Sequence, residues 1–212
     1  MPYPLLPFGG NQCLIDRTLR LLQEVGVGRV LLVVGFREDL FKLYAKDNVQ
    51  LVKAENFEFS ASMASLAAAK DLIDEDFLLI EGDTFFEKKV LEHLVGIKEG
   101  NCLVATEESG SGDECYIESR SGFITKISKD KHRICKYEGE LLGVSRISLD
   151  TYQKMLDLWN KSTNSYLNYE YVLMDVTSPL DRPFVFFKNL IWGDVDCPED
   201  FKKLKSFFVE IV

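Results

Sequence analysis

Two short, uninterrupted apolar segments constrain the fold of this chain more than any other feature. Val30–Gly35 reads VLLVVG and Phe77–Ile80 reads FLLI. Continuous apolar runs of this length are typical of parallel strands that helices bury on both faces. Amphipathic helical patterns occur before and between them, at Ile15–Val25 and Ser62–Ile73. This alternation predicts an α/β fold, with a Rossmann-like, mostly parallel central sheet flanked by helices.

The middle of the chain has a different pattern. Cys115–Ser119 and Phe123–Ser128 alternate apolar and polar residues around the turn sequence Arg120–Gly122, which predicts a β-hairpin. A further strand is expected at about Glu140–Ile147, and helical patterns follow it. Because no linker separates this part from the first half, residues 1–212 are expected to form a single domain in which the hairpin and the later helices are a small addition.

Composition excludes several classes of protein. The chain has 25 Lys and Arg against 34 Asp and Glu, a formal net charge of −9, which argues against a nucleic-acid partner because phosphate binding needs clustered cations. No apolar run approaches the ~18–20 residues that span a bilayer, so no membrane partner is expected. The five cysteines are scattered and form no CxxC pair. Reduced thiols in a cytoplasmic protein are the expectation.

Acidic residues follow two of the predicted strands. Asp83 comes just after the Phe77–Ile80 strand, at the carboxyl end where ligands of open α/β sheets bind. Asp194 and Asp196 lie two positions apart, so on an extended strand their carboxylates share one face. Carboxylate oxygens suit Mg²⁺, so these three aspartates are candidate metal ligands. In the alternative interpretation Asp83 and Asp196 are turn or helix-capping residues. Glu81 is expected to be solvated or to end the strand.

The order of several segments resembles a known superfamily. These segments are PYPLLPFGG near residue 2, LIDRTLRLLQEVGVGRVLLVVGF from residue 14, SMASLAAAKDLIDEDFLLIEGDTFFE from residue 62, NYEYVL from residue 168 and WGDVDCPEDF from residue 192. Together they resemble the nucleoside-triphosphate transferases. Within that superfamily the chain looks most like the small cytidylyltransferases that activate phosphocholine and related phosphorylated alcohols or phosphonates.

The resemblance implies a reaction and a set of site residues. A nucleoside monophosphate, CMP from CTP being favoured, is transferred to a small phosphorylated alcohol or a phosphonate, and pyrophosphate is released. Mg²⁺ is the implied cofactor, held by the catalytic residues Asp83 and Asp196 with Asp194 as a further ligand. The implied nucleotide-binding residues are Ser62, Ser65 and Gly82.

Aromatic residues near the end of the chain suggest how the acceptor is held. Tyr169, Glu170 and Trp192 fall in the two late segments, and related choline-type enzymes surround a quaternary ammonium group with aromatic side chains. These three are therefore the candidate substrate-binding residues. In the alternative interpretation the tyrosines form a core stripe of a helix.

Two departures from the family pattern leave other functions open. The family opens with a strand and a Gly-rich phosphate loop that do not occur in this sequence, and Tyr3 stands at the position of the family's lysine. A catalytically impaired domain that binds a nucleotide or a protein partner is one alternative. A glycosyltransferase that uses Asp194 and Asp196 as a DxD pair is another. The strand edge that the missing strand would leave exposed makes a homodimer a further expectation.

Overall fold

The computed structural model describes residues 1–9, 12–46 and 48–211. The strands are β1 (Pro7–Gly9), β2 (Gln12–Cys13), β3 (Val30–Val34), β4 (Val49–Lys53), β5 (Phe77–Ile80), β6 (Thr84–Phe86), β7 (Cys102–Thr106), β8 (Tyr116–Arg120), β9 (Phe123–Ser128), β10 (Gly139–Ile147), β11 (Phe184–Phe187) and β12 (Trp192–Asp194). The α-helices are α1 (Leu14–Glu24), α2 (Ser62–Ala68), α3 (Lys89–Val95), α4 (Leu149–Lys161), α5 (Tyr169–Val176) and α6 (Pro198–Ile211). Helix α1 is followed by Gly26, whose positive φ of 83° suits the chain reversal after a helix.

The largest sheet is organised around β10. Strand β7 pairs with one edge of β10, and β5 and β8 share the other edge. The order along the sheet is β11-β7-β10-β8-β9, and β5 joins it through β10. The predicted hairpin is confirmed as β8 and β9, and both turn residues have positive φ, 54° at Ser121 and 83° at Gly122. That conformation matches the twist of the two strands.

The α/β architecture with a central sheet flanked by helices is confirmed; β5, β7 and β11 run in the same direction, and β10 runs antiparallel between β5 and β7. Parallel pairs are formed by β3 with β4 and by β11 with β7. The pairs β5–β10, β7–β10, β8–β10, β8–β9 and β6–β12 are antiparallel. The direction of β10 follows from the position of the hairpin. After the hairpin, β10 begins beside the carboxyl end of β7, where Glu140 pairs with Thr106. Strand β10 therefore runs antiparallel to β7 and lies between β5 and β7.

Helices cover both faces of the sheet. Along β5, Phe77 and Leu79 pack in the apolar cluster that includes helices α2, α4 and α5, while Leu78 and Ile80 pack in the cluster that includes α1 and α3. The same alternation along β7 gives each face its own core, as expected for a strand buried on both sides. In the described part of the chain, no helix is long and apolar enough to cross a membrane.

Candidate active site at the carboxyl end of β5

The three predicted aspartates come together at one rim of the sheet. Strand β6 begins directly after Asp83 and pairs with β12, with Thr84 opposite Asp194. The backbone N–H of Val195 donates to the carbonyl oxygen of Asp83 at 3.1 Å, which fixes the end of β12 beside the end of β5. Asp196 comes two residues after Asp194, and its charge raises the pKa of both Asp83 and Asp194. The antiparallel β6–β12 pair is therefore what joins two acidic segments that are distant in the sequence.

The electrostatics of the rim show negative charge without enough compensation. Burial, and then repulsion from Asp83 and Asp196, raises the pKa of Asp194 to about 6, although Thr84 Oγ1 donates a hydrogen bond to its Oδ1 at 2.6 Å. Burial also raises the pKa of Asp83, with Asp196 contributing, and the pKa of Asp196 is raised by burial and by Asp113. A cation bound at this rim would relieve all three effects.

The donor set of the rim suits a hard divalent cation. All three side chains offer carboxylate oxygens, and Mg²⁺ is commonly held by one or two carboxylates together with waters and substrate phosphates. Within the described residues, no three His, Cys, Asp or Glu side chains are arranged as a ready-made metal cage. A divalent cation held by these aspartates would take its other ligands from water or from phosphate oxygens.

Glu81, expected to be solvated or to end the strand, directly follows β5, and its side chain is packed beneath this rim. A methyl group at Gly143 of β10 would lie 2.7 Å from Glu81 Oε2 and 2.9 Å from Thr84 Oγ1, so the carboxylate occupies space that the glycine leaves free. Burial raises the pKa of Glu81 to about 7, with Asp83, Asp194 and Glu170 adding to the rise, while a hydrogen bond with Tyr169 opposes it. Glu81 therefore ends the strand, as one of the two expectations had it, and a neighbouring strand covers most of its carboxyl group.

A small cavity of about 80 Å³ adjoins the rim and is strongly acidic. Its polar lining includes Glu81, Asp113, Glu140, Glu170, Asp194 and one cation, Lys129. Burial raises the pKa of Glu140 to about 7, even though the backbone N–H and hydroxyl of Ser109 donate to it at 2.7 and 3.3 Å. The cavity therefore offers more carboxylates than cations to whatever enters it.

Lys129 is a site residue that the sequence analysis missed. It follows β9 in a charged stretch typical of an exposed turn, and its side chain is indeed about half exposed. Its Nζ lies 4.0 Å from Asp113 Oδ2, and its positive charge opposes the rise that burial causes in the pKa of Glu170 and of Asp196. It lines both the small cavity and a larger one beside it. The hairpin places it there, and that placement is not visible in the local sequence.

The predicted nucleotide-binding residues line the larger cavity, whose volume is about 920 Å³. Ser62, Ser65 and Gly82 all contribute to its wall, together with Asp83 and Glu170. The hydroxyl of Ser62 also accepts a hydrogen bond from the backbone N–H of Tyr169 at 3.0 Å, so this serine links the amino ends of α2 and α5. The structure brings these residues to one place, and their role toward a nucleotide stays a prediction.

The three predicted substrate-binding residues separate into two groups. Tyr169 and Glu170 line both cavities, although Tyr169 is buried and packs in the core. Trp192 lies elsewhere: it pairs with Phe86 and packs in the cluster that includes α1 and α3, and it lines neither cavity. It is two residues farther from the rim than Asp194 on the same face of β12, which places its ring under the helices. The structure gives no support to a substrate contact at Trp192.

Two curated proteins match this chain over half or nearly all of its length. Over 110 residues, 50% of this chain and 17% of the other, the chain is 36% identical to the CMP-5'-(3-aminopropyl)phosphonate synthase of Streptomyces rubellomurinus. It is 24% identical to the bifunctional IPC transferase and DIPP synthase of Aquifex aeolicus, over 99% of this chain and 47% of that protein. The chain thus spans less than half the length of these curated relatives.

Solved structures show the same fold. The inositol-1-phosphate CTP transferase from T. maritima superimposes with a TM-score of 0.77 at 20% identity, covering 100% of this chain and 89% of that one. The CTP:phosphocholine cytidylyltransferase from Streptococcus pneumoniae gives a TM-score of 0.76 at 16% identity, covering 98% and 90%. The family model described as "MobA-like NTP transferase domain" matches residues 2–161, about three quarters of the chain. The resemblance seen in the sequence is thereby confirmed, and the chain belongs to the MobA-like NTP transferase family.

Proposed function

We propose that this protein transfers CMP from CTP to a small phosphorylated alcohol or a phosphonate. An oxygen of the acceptor's phosphate or phosphonate attacks the α-phosphorus of CTP, the bond from that phosphorus to the oxygen bridging to the β-phosphorus breaks, and pyrophosphate leaves. The observation that carries the proposal is the meeting of Asp83, Asp194 and Asp196 at the carboxyl end of β5 in a chain of this family.

The proposal assigns a role to each of the three aspartates and to Lys129. Asp83 and Asp196 would hold Mg²⁺, which when bound neutralises charge that develops on the phosphoryl oxygens. Asp194 is held in place by Thr84 and is the third candidate ligand. Lys129 borders both cavities and would bind a phosphoryl oxygen as a point charge. No general base is required, because a phosphate or phosphonate oxygen is already ionised near neutral pH.

We further propose that the acceptor carries an ammonium group at the end opposite its phosphorus. The small cavity has five carboxylates against Lys129, and burial raises the pKa of four of them, namely Glu81, Glu140, Glu170 and Asp194. A cation that enters the cavity would favour their ionised forms. A neutral polyol would leave this charge uncompensated. The partial match to a relative whose name includes an aminopropylphosphonate is consistent with this choice.

Pyrophosphate release tests the proposal. The protein is supplied with Mg²⁺, one of the four ribonucleoside triphosphates, and an acceptor from a panel of phosphocholine, phosphoethanolamine, 2-aminoethylphosphonate and inositol 1-phosphate. We expect release with CTP and an ammonium-bearing acceptor, and little with inositol 1-phosphate. Asp83→Asn should lower kcat about a thousandfold or more, since the lost charge stabilisation amounts to several kcal/mol.

The matched control is Asp157→Asn, a substitution at an exposed position of α4 that should leave kcat unchanged. Binding of Mg²⁺ and CTP without release in the whole panel would favour the alternative of an impaired nucleotide-binding domain. Transfer of a sugar from a nucleotide sugar would favour the glycosyltransferase. An unchanged kcat in Asp83→Asn would exclude Asp83 as a metal ligand needed for the reaction.

A further inference from the structure

Helix α5 and the end of strand β9 meet beside the candidate active site. The hydroxyl of Tyr171 on α5 accepts a hydrogen bond of 3.2 Å from the backbone N–H of Lys129, the residue that follows β9. The neighbour of this tyrosine, Glu170, lines both cavities, as Lys129 does. The contact therefore ties the residue with the ammonium group of the site to the helix that carries one of its carboxylates.

The position of Lys129 in the chain explains why its backbone uses this acceptor. Ser128 is the last residue of β9 and lies opposite Tyr116 of β8, where the ladder between these strands ends. Lys129 is thus the first residue beyond the ladder. A backbone N–H that leaves a ladder must find another acceptor or water. The hydroxyl of Tyr171 is that acceptor, and it comes from an element 42 positions farther along the chain.

Local hydrogen bonds give the turn after Lys129 its shape but not its direction. The N–H of Asp130 donates to Ser128 Oγ at 2.9 Å, and the N–H of His132 donates to Asp130 Oδ1 at 3.0 Å. Donor and acceptor lie two positions apart in both bonds, so these bonds move together with the turn. Only a contact with another element of the fold can orient the turn relative to the cavities.

The turn has two contacts of that kind, and they differ in what they constrain. Lys131 Nζ lies 2.7 Å from Glu108 Oε2, but both side chains are partly exposed. A pair of long, exposed side chains restrains the backbone weakly because both can change rotamer together. The bond from Lys129 to Tyr171 acts on the peptide group from which the lysine side chain starts. It therefore has the stronger influence on where that side chain points.

Tyr171 is held by a rigid helix without being part of the core. It is 36% exposed and lies outside the apolar cluster that α5 joins. Three other residues of α5 are buried in that cluster, namely Tyr169, Val172 and Leu173. A helix that is buried along one face keeps the residues of its other face in fixed positions. The ring of Tyr171 is thus a firm support for the backbone of Lys129.

The side chain of Lys129 depends on its backbone for direction. Its Nζ is 4.0 Å from Asp113 Oδ2, and the side chain is about half exposed. Its charge opposes the rise in the pKa of Glu170 and of Asp196, so the ammonium group acts on both the small cavity and the rim. A lysine has a flexible four-carbon stem with many rotamers. The place where the stem starts therefore decides which groups the ammonium can reach.

We propose that Tyr171 is a positioning residue for the binding of the nucleotide's phosphate groups. Its hydroxyl holds the backbone of Lys129, so the ammonium group stays between the rim and the two cavities and binds a phosphoryl oxygen there. The role of Lys129 rests on the proposed function. Removal of the hydroxyl keeps the positive charge but spreads it over more directions, so phosphate binding weakens while the charge of the site is unchanged.

Binding of inorganic triphosphate with Mg²⁺ tests the proposal without a nucleobase, an acceptor or turnover. Isothermal titration calorimetry measures the Kd of the parent chain and of each variant. Lys129→Met should raise this Kd about tenfold or more, because a charge-assisted contact is lost. Tyr171→Phe keeps the ring and should raise it about three- to tenfold. The matched control is Tyr166→Phe, at a ring that is 64% exposed, which should change the Kd less than about twofold.

A double-mutant cycle separates positioning from a purely structural role. Because Tyr171 acts through Lys129, Tyr171→Phe should change the Kd less than about twofold in a chain that already carries Lys129→Met. An equal loss of affinity in both chains would overturn the proposal, and so would a parent chain that does not bind triphosphate. The expected pattern of triphosphate binding without any pyrophosphate release would refute the proposed reaction and support the positioning role, so the two failures are distinguishable.

Hydrogen exchange of one backbone amide tests the contact in the protein without ligand. Tyr171→Phe should speed the exchange of the Lys129 amide about tenfold, because its acceptor is removed. The amide of Ile124 on the same strand donates to the carbonyl of Arg182, and its exchange should stay unchanged. If the Lys129 amide exchanges at the same rate in the variant and in the parent chain, the hydroxyl does not hold this backbone and the proposal is wrong.

Discussion

Glu81 lets the electrostatics of the site be tested through stability alone. Its pKa is raised from 4.5 to about 7, mainly by burial. Between these two values the unfolded chain has lost the proton while the folded chain keeps it. The stability that Glu81 contributes is therefore fully present below pH 4.5 and is lost as the pH rises through about 7. At 1.36 kcal/mol per pKa unit, the loss is about 3 kcal/mol.

Glu81→Gln removes the charge and keeps the shape, so it should stabilise the protein in a pH-dependent way. We expect a gain in the free energy of unfolding of less than about 1 kcal/mol at pH 5 and of about 3 kcal/mol at pH 8. For a chain of this length the latter corresponds to about 6–12 °C in Tm. Urea unfolding followed by circular dichroism at both pH values measures the difference.

The control for this experiment is Glu99→Gln, at an exposed position, which should change the free energy of unfolding little at either pH. Each variant is compared with the parent chain at the same pH, because Glu140 and Asp194 titrate in a similar range. Since Asp194 also raises the pKa of Glu81, part of the gain at pH 8 comes from removing the repulsion between these two carboxylates. An equal gain at pH 5 and pH 8, or a loss of stability at pH 8, would refute the burial of an ionised Glu81.

Three further predictions concern two core substitutions and the pH dependence of KM. Gly143→Ala places a methyl group 2.7 Å from Glu81 Oε2 and should lower the free energy of unfolding by about 1–3 kcal/mol in urea titrations; Glu81→Ala in the same chain should restore most of it. Tyr152→Phe removes the hydrogen bond of 2.9 Å to the carbonyl of Leu66 in the core and should cost about 1–2 kcal/mol by the same assay, without changing m. With an ammonium-bearing acceptor, KM should fall as the pH rises through about 7, where Glu81 and Glu140 ionise, and a pH-independent KM would contradict the proposed contact.

Local sequence predicted the elements of the fold better than their pairing. The runs of β3 and β5, the β8–β9 hairpin and the helices flanking them follow from periodicity and turn residues. The direction of β10 does not, because it depends on where the hairpin lies against β7 and β5. The direction of β10 depends on contacts between distant parts of the chain, so no short segment of the sequence predicts it.

The same distinction explains which site residues could be predicted. Asp83 and Asp194 follow or end strands, so a rule about strand ends predicts that they lie at the rim, where the structure has them; their role there stays a prediction. Glu81 becomes buried because Gly143, on a strand far along the chain, leaves space for it. Lys129 lies at the candidate site because it directly follows the β8–β9 hairpin. Trp192 lies away from it because its ring packs in the cluster around α1 and α3.

The charge of the site also constrains the order in which its ligands can bind under the proposed function. Asp83, Asp194 and Asp196 repel one another, and burial strengthens that repulsion because the surroundings screen it poorly. A nucleoside triphosphate without a cation would add four negative charges to this rim. Under the proposed function, free CTP would therefore be a poor first ligand, and CTP complexed with Mg²⁺ would bind better, because the cation would offset part of this repulsion. The acidic cavity beside the rim then favours a cationic acceptor for the same electrostatic reason.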